Sequence, residues 1–214
     1  MTTDIRWWKA RCSCFLALTL LLGMLTLTGC TRSAPKLEPL PPDAVLLAFG
    51  DSITFGTGAT LAESYPVLLA EVIGHTVINA GVPGETTAEG LARLSEALDR
   101  YHPALVILCL GGNDFLRGLD EQKAADNIRE MLRLARSKGV GVVLLGVPKF
   151  GINPSPPPFY RQLAREFDVP YNGAILKKIL TTNSLKADYI HPNAAGYRLL
   201  AGSIADLLKK SGAL

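Results

Sequence analysis

The stretch ALVILCLGGND, residues 104–114, holds seven apolar residues in a row and then turns abruptly to glycines and polar side chains. A continuous run rich in Val, Ile and Leu, with no polar alternation, predicts a strand buried on both faces, as in a parallel sheet. Two other runs share this build: AVLLAFG (44–50), which runs into Asp51 and Ser52, and VGVVLLGV (140–147). TVINAG (76–81) and VPYN (169–172) read as further strands. Helical spacing marks the segments between and after them: SYPVLLAEVIG (64–74), TAEGLARLSEALDRY (87–101), EQKAADNIREMLRLARSKG (121–139), FYRQLAREFD (159–168) and HPNAAGYRLLAGSIADLLKK (191–210). In the second of these Leu91, Leu94 and Leu98 share a face, and Thr86 with Glu89 three residues on forms a capping-box pattern. Prolines at 154 and 156–158 make residues 148–158 a loop.

Strands alternating with helices give an α/β fold, a parallel sheet covered on both sides. In such sheets ligands sit beyond the carboxyl ends of the strands, where the winding reverses. The sequence places polar, glycine-flanked clusters there: GDS at 50–52, NAGVPGETT at 79–87 and GGND at 111–114.

The 214 residues suit one domain, and 48% apolar against 19% charged residues describes a folded chain. Of the net charge of +3, Arg6, Lys9 and Arg11 against Asp4 supply +2 before residue 30, leaving the rest near neutral. No basic stripe with interleaved aromatics appears, which argues against a nucleic-acid partner. The basic start and the apolar run from Phe15 have the layout of a secretory signal, too short for a comfortable membrane span. Leu27-Thr28-Gly29-Cys30 resembles the bacterial lipobox. That resemblance implies a signal peptide over 1–29, lipidation of Cys30, a Pro-rich tether over 30–43 and a domain over 44–214. An exported protein held to a membrane through Cys30 is expected, and Thr31, where an acid would signal inner-membrane retention, points to the periplasmic side of the outer membrane. Cys12 and Cys14 fall in the removed segment, so Cys109 remains, expected as a small buried hydrophobe without a disulfide.

Ser52 follows a strand by two residues, where its hydroxyl can project above the sheet. A serine hydroxyl is a poor nucleophile until a base takes its proton. Three histidines are present. His75 precedes a strand, His102 precedes Pro103 at the amino end of another, and His191 stands in ADYIHPNAAGY with Asp188 three residues earlier. That spacing lets the Asp188 carboxylate reach the imidazole and fix its tautomer. A developing oxyanion needs donors, and the Ser52 and Gly84 backbone N–H groups and the Asn113 side-chain amide can supply them.

FGDSITFG, NAGVPGETT, LGGNDFLRG and DYIHPNAAGY together resemble the four blocks of the GDSL, or SGNH, hydrolase family, in order and over the whole mature domain. GLARLSEALDRYHPALVILCLGGNDFLRG is especially similar to the bacterial thioesterase/lysophospholipase and arylesterase branch. The resemblance implies a three-layer α/β/α sandwich, flavodoxin-like, with a five-stranded, mostly parallel sheet and no metal or other cofactor. It implies Ser52 as nucleophile, Gly84 and Asn113 completing the oxyanion hole with the Ser52 amide, and His191 with Asp188 as base and orienter. A serine esterase acting on acyl or aryl esters, lysophospholipids or acyl thioesters is then expected. Carbohydrate deacetylation is the alternative within the family.

Other classes fit less well. A phosphate-binding loop lacks GxxxxGK[ST], and no lysine lies between Gly50 and Ala70. A silent lipoprotein would not need all four blocks. Asp188 and His191 alone make a poor metal site. Asp51 and Asp114 read as turn-shaping and capping residues. Phe115, Phe150 and Phe159 are expected as substrate walls, or equally as core.

Overall fold

The computed structural model describes residues 35–151 and 153–214, so the expected signal segment 1–29, Cys30 and the first residues of the tether lie outside them. Five strands form one sheet: β1 (Val45–Gly50), β2 (Thr76–Gly81), β3 (Leu105–Cys109), β4 (Gly141–Leu145) and β5 (Tyr171–Asn172). Their order is β2-β1-β3-β4-β5, and every pair is parallel, where the resemblance implied mostly parallel. The winding reverses at β1, which has β2 on one side and β3 on the other. Gly50 pairs with Gly81 and with Cys109, so the first three strands end level with one another. The loops that follow them therefore leave the sheet side by side.

Among the described residues there are eight α-helices: α1 (Ser52–Phe55), α2 (Tyr65–Ile73), α3 (Thr87–Tyr101), α4 (Gly112–Leu116), α5 (Glu121–Ser137), α6 (Pro158–Phe167), α7 (Ile175–Thr181) and α8 (Ala194–Ser211). Helices α3, α5 and α6 pack together in one layer, and α2 and α7 pack on α8 in the other. The three-layer sandwich expected from the resemblance results. Central β1, β3 and β4 are buried almost throughout, the consequence of helices on both faces. Edge strand β2 departs from that reading, with every residue at least partly accessible. Thr86 and Glu89 form the anticipated capping box of α3.

Two details differ from expectation. Helix α7 has no counterpart in the sequence reading, although Ile175, Leu176, Ile179 and Leu180 are buried at helical spacing. Its seven residues lack a side-chain cap, and it starts where the Asn172 carboxamide accepts the Ala174 and Ile175 amides. The Pro-rich segment is not free up to Ala44. The Leu37 N–H donates to Ser211 O and the Leu40 N–H to Ala213 O, each at 2.9 Å, and both side chains pack against the core. The domain thus begins at least seven residues before the expected boundary, because two leucines among the prolines have apolar surface to bury.

Candidate active site

Ser52 is the first residue of α1, two residues beyond the last paired residue of β1. Asp51 caps that helix, its Oδ1 accepting the Ile53 N–H at 3.0 Å, which is the turn-shaping role expected of it. Gly81 lies against the α1 backbone, where a Cβ would strike the Phe55 amide, so the chain needs glycine there. From the far end of the protein, the buried Tyr197 of α8 donates its hydroxyl to Thr57 O at 2.7 Å and ties the last helix to this loop.

That tie brings His191 to Ser52. The His191 Nε2 lies 3.0 Å from Ser52 Oγ, and Nδ1 lies 2.8 Å from Asp188 Oδ2. Asp188 Oδ1 accepts the backbone N–H groups of Ile190 and His191, each at 2.8 Å. The turn is closed by the Ala187 N–H donating to His191 O, and Asn193 then caps α8 by accepting the Gly196 N–H. Since an ionised carboxylate only accepts, Nδ1 carries the proton and Nε2 is left to accept from the serine hydroxyl. Partial burial pushes the Asp188 carboxyl up, but the His191 ring and the two amides outweigh it and hold it below its ordinary value. His75 and His102 stay at the amino end of the sheet, the latter as the left-handed cap of α3.

The candidate oxyanion donors arrive on the two neighbouring loops. Gly84 follows β2 with φ +82°, a conformation that favours glycine. Among the described residues its N–H has no backbone hydrogen-bond partner, and the Ser52 N–H has none within its helix because it is the first residue. Asn113 sits in α4, after β3, and donates one of its two side-chain hydrogens to Glu85 O at 2.9 Å, the other having no partner among the described residues. Arg117 donates to Gly84 O at 2.6 Å. Gly84 and Asn113 are thus linked through the Glu85 carbonyl, and no hydrogen bond among the described residues joins either of them to Ser52.

Three acidic side chains, Asp51, Glu85 and Asp114, are buried behind this edge. Asp114 does not cap its own turn as expected. It reaches the first residue of α3, accepting the Thr87 N–H at 2.9 Å and the Thr87 hydroxyl at 2.6 Å. Burial, with smaller contributions from the Glu85 and Asp114 charges, pushes the Asp51 carboxyl from 3.8 to about 7 despite the Ile53 N–H. Folded Asp51 therefore keeps its proton at a pH where the unfolded chain has lost it. The native state then binds more protons than the unfolded one, and stability falls as pH rises from about 4 to about 7. The shift corresponds to roughly 4 kcal/mol. Urea unfolding across this range is expected to show that decline in the wild type and a flatter profile in Asp51→Asn; parallel profiles would contradict it.

Of the two readings of the phenylalanines, substrate wall or core, the packing favours the second. Phe115, Phe150 and Phe159 pack half-buried against the core, with Phe159 stacked on Tyr160 at 4.3 Å and 6.4 Å from Phe115. Apolar side chains exposed on the loops beyond the strand ends include Phe55, Val82, Leu116 and Tyr189, the last between Asp188 and His191. Cys109 is buried and unpaired, as anticipated, and burial pushes its thiol up, out of the reactive range. Among the described residues no three His, Cys, Asp or Glu side chains are grouped to hold a metal ion.

A parallel α/β/α domain with a Ser–His–Asp hydrogen-bonded chain at the carboxyl edge of its sheet has the layout of a serine-type hydrolase. Residues 48–199 match the model of the GDSL-like lipase/acylhydrolase family. An arylesterase of Vibrio mimicus is 32% identical over 176 residues, covering 77% of this chain and 88% of the relative. The thioesterase 1/protease 1/lysophospholipase L1 of Escherichia coli is 31% identical over 172 residues, with 77% and 83% covered. The crystal structure of TesA superposes with a TM-score of 0.68 at 30% identity, covering 77% of this chain and 98% of that one. The chain belongs to the GDSL-like lipase/acylhydrolase family and is an esterase or acylhydrolase.

Proposed function

We propose that the protein hydrolyses acyl or aryl esters, lysophospholipids and acyl thioesters included, through an acyl-enzyme on Ser52. The hydrogen-bonded chain Ser52–His191–Asp188, at 3.0 and 2.8 Å, carries this reading. Ser52 Oγ attacks the carbonyl carbon while its proton passes to His191 Nε2. Asp188 stays ionised and steadies the imidazolium. The carbonyl oxygen, now negative, is held by the Ser52 and Gly84 amides and the second side-chain hydrogen of Asn113. Collapse expels the alcohol or thiol, protonated by His191. Water, activated by the same ring, then releases the acid.

Phe55, Val82 and Leu116 give the loops around Ser52 an apolar character, which supports acyl or aryl groups over sugars. The names of the arylesterase and lysophospholipase relatives point the same way. Initial rates on p-nitrophenyl esters of increasing chain length, beside lysophospholipid, acyl-CoA and an acetylated sugar, test it. Turnover of medium-chain or aryl esters is expected. Activity confined to the acetylated sugar would transfer the assignment to carbohydrate deacetylation.

The second part of the reading is export and anchoring by lipid on Cys30, supported by the Leu27-Thr28-Gly29-Cys30 pattern. Among the described residues no helix is long and apolar enough to cross a membrane. Radiolabelled palmitate is expected to enter the wild type and to be absent from Cys30→Ser, which should leave the membrane fraction. Equal labelling of both would overturn it.

A further inference from the structure

The geometry points to Arg93, with Glu85 as its partner, as a positioning residue that sets the spacing of the nucleophile loop and the oxyanion loop. Arg93 lies on α3, outside the four blocks, though within the stretch 90–118 that resembles the thioesterase and arylesterase branch. Its Nη2 donates to Ala80 O at 2.9 Å, to Gly50 O at 3.3 Å and to Glu85 Oε2 at 2.6 Å, and its Nε donates to Glu85 Oε1. The guanidinium lies over the Phe49 ring, 3.9 Å from the centroid.

These contacts fall at informative places. Gly50 is the end of β1, two residues before Ser52. Ala80 and Glu85 bracket the loop that carries Gly84, so one side chain grips that loop at both ends. Glu85 is itself buried, and its carbonyl takes the Asn113 amide at 2.9 Å. A single guanidinium is therefore linked to all three loops that bear the proposed oxyanion donors, while its own hydrogen bonds go to Glu85 and to the Gly50 and Ala80 carbonyls. Lysine cannot reproduce the arrangement, since its ammonium lacks the planar fork that engages a carboxylate on two atoms and a carbonyl beside it. Small misplacements matter here, because an oxyanion donor must meet an atom that becomes negative only in the transition state. Loss of Arg93 should consequently appear in kcat, with substrate affinity little changed.

The inference rests on Ser52 as nucleophile, and the test separates the two. Titration with a p-nitrophenyl alkylphosphonate is expected to release one equivalent of p-nitrophenol from the wild type and none from Ser52→Ala; failure of that step removes the underlying reading, not the role of Arg93 alone. Arg93→Met is then expected to lower kcat on a p-nitrophenyl ester by about 10²-fold, the scale of one lost oxyanion donor, and Arg93→Lys by about 10-fold. KM should stay within about twofold in both. Adding Asn113→Ala to Arg93→Met should cost less than it does in the wild type, because both changes act on the same donors. Circular dichroism and thermal unfolding establish that each variant is folded. If Arg93→Met fails to fold, Arg93→Lys and Glu85→Gln decide. Folded variants with wild-type kcat, a loss confined to KM, or failure of all three to fold would each overturn the proposal, the last by making the pair purely structural.

Discussion

Ser52→Ala is expected to lower kcat on a p-nitrophenyl ester by about 10⁴- to 10⁶-fold, leaving only what binding and the oxyanion donors contribute. The loss should be this large because the Ser52 hydroxyl is the only oxygen of that side chain, and its hydrogen bond is to His191 Nε2. The fold should hardly notice. The α1 turn is kept by the Asp51 carboxyl on the Ile53 N–H and by the Gly56 and Thr57 amides on Ser52 O, none of which needs the Ser52 hydroxyl. An unfolding midpoint close to the wild type, together with a near-silent assay, is the expected pair of results. His191→Ala should be almost as impaired, since nucleophile and base act as a unit, and the double variant should lose little more than either single one. Retention of a tenth of the wild-type rate by Ser52→Ala would remove the serine from the mechanism.

Asn113→Ala is the second large effect, about 10²- to 10³-fold in kcat with KM nearly unchanged. Two contributions have to be separated, because the Asn113 amide also holds the Glu85 carbonyl. Losing that hydrogen bond costs about 1 kcal/mol of stability. Losing an oxyanion donor raises the barrier by about 3–4 kcal/mol. The catalytic loss should thus exceed the change in unfolding free energy several-fold. Equal changes in the two would mean that Asn113 serves the fold alone, and the donor would have to be sought elsewhere on the Gly111–Asn113 turn.

The elements legible in the sequence were those whose signals are local. Unbroken apolar runs marked β1, β3 and β4, and the 3.6-residue spacing marked α3, α5 and α8. Thr86 and Glu89 sit three apart, so the start of α3 could be read to the residue. The Asp188–His191 pairing was legible for the same reason, being a contact within one turn. Its meeting with Ser52 is a contact across 139 positions, and only the motif pattern pointed to it.

What escaped was non-local. Arg93 reaches back 43 residues to Gly50 O, and Asp114 reaches 27 to Thr87; neither distance leaves a trace in the spacing of residues along the chain. The docking of Leu37 on the far end of α8 was hidden by prolines, which report backbone stiffness and say nothing of what the intervening leucines bury. Helix α7 was missed because it is short and its apolar pattern spans less than two full repeats. The phenylalanines left open as substrate wall or core pack half-buried against the core for a related cause. A loop residue next to a strand end can face the crevice or the core, and side-chain type does not decide between them.

The central claim, a covalent acyl-enzyme on Ser52, is tested most directly by mass spectrometry of protein quenched in acid during turnover of a p-nitrophenyl ester. A mass increase equal to the acyl group, mapped to the peptide containing Ser52 and absent from Ser52→Ala, is the expected result. Acyl mass on another residue, or full turnover with no burst of p-nitrophenol and no acylated protein at any quench time, would contradict it.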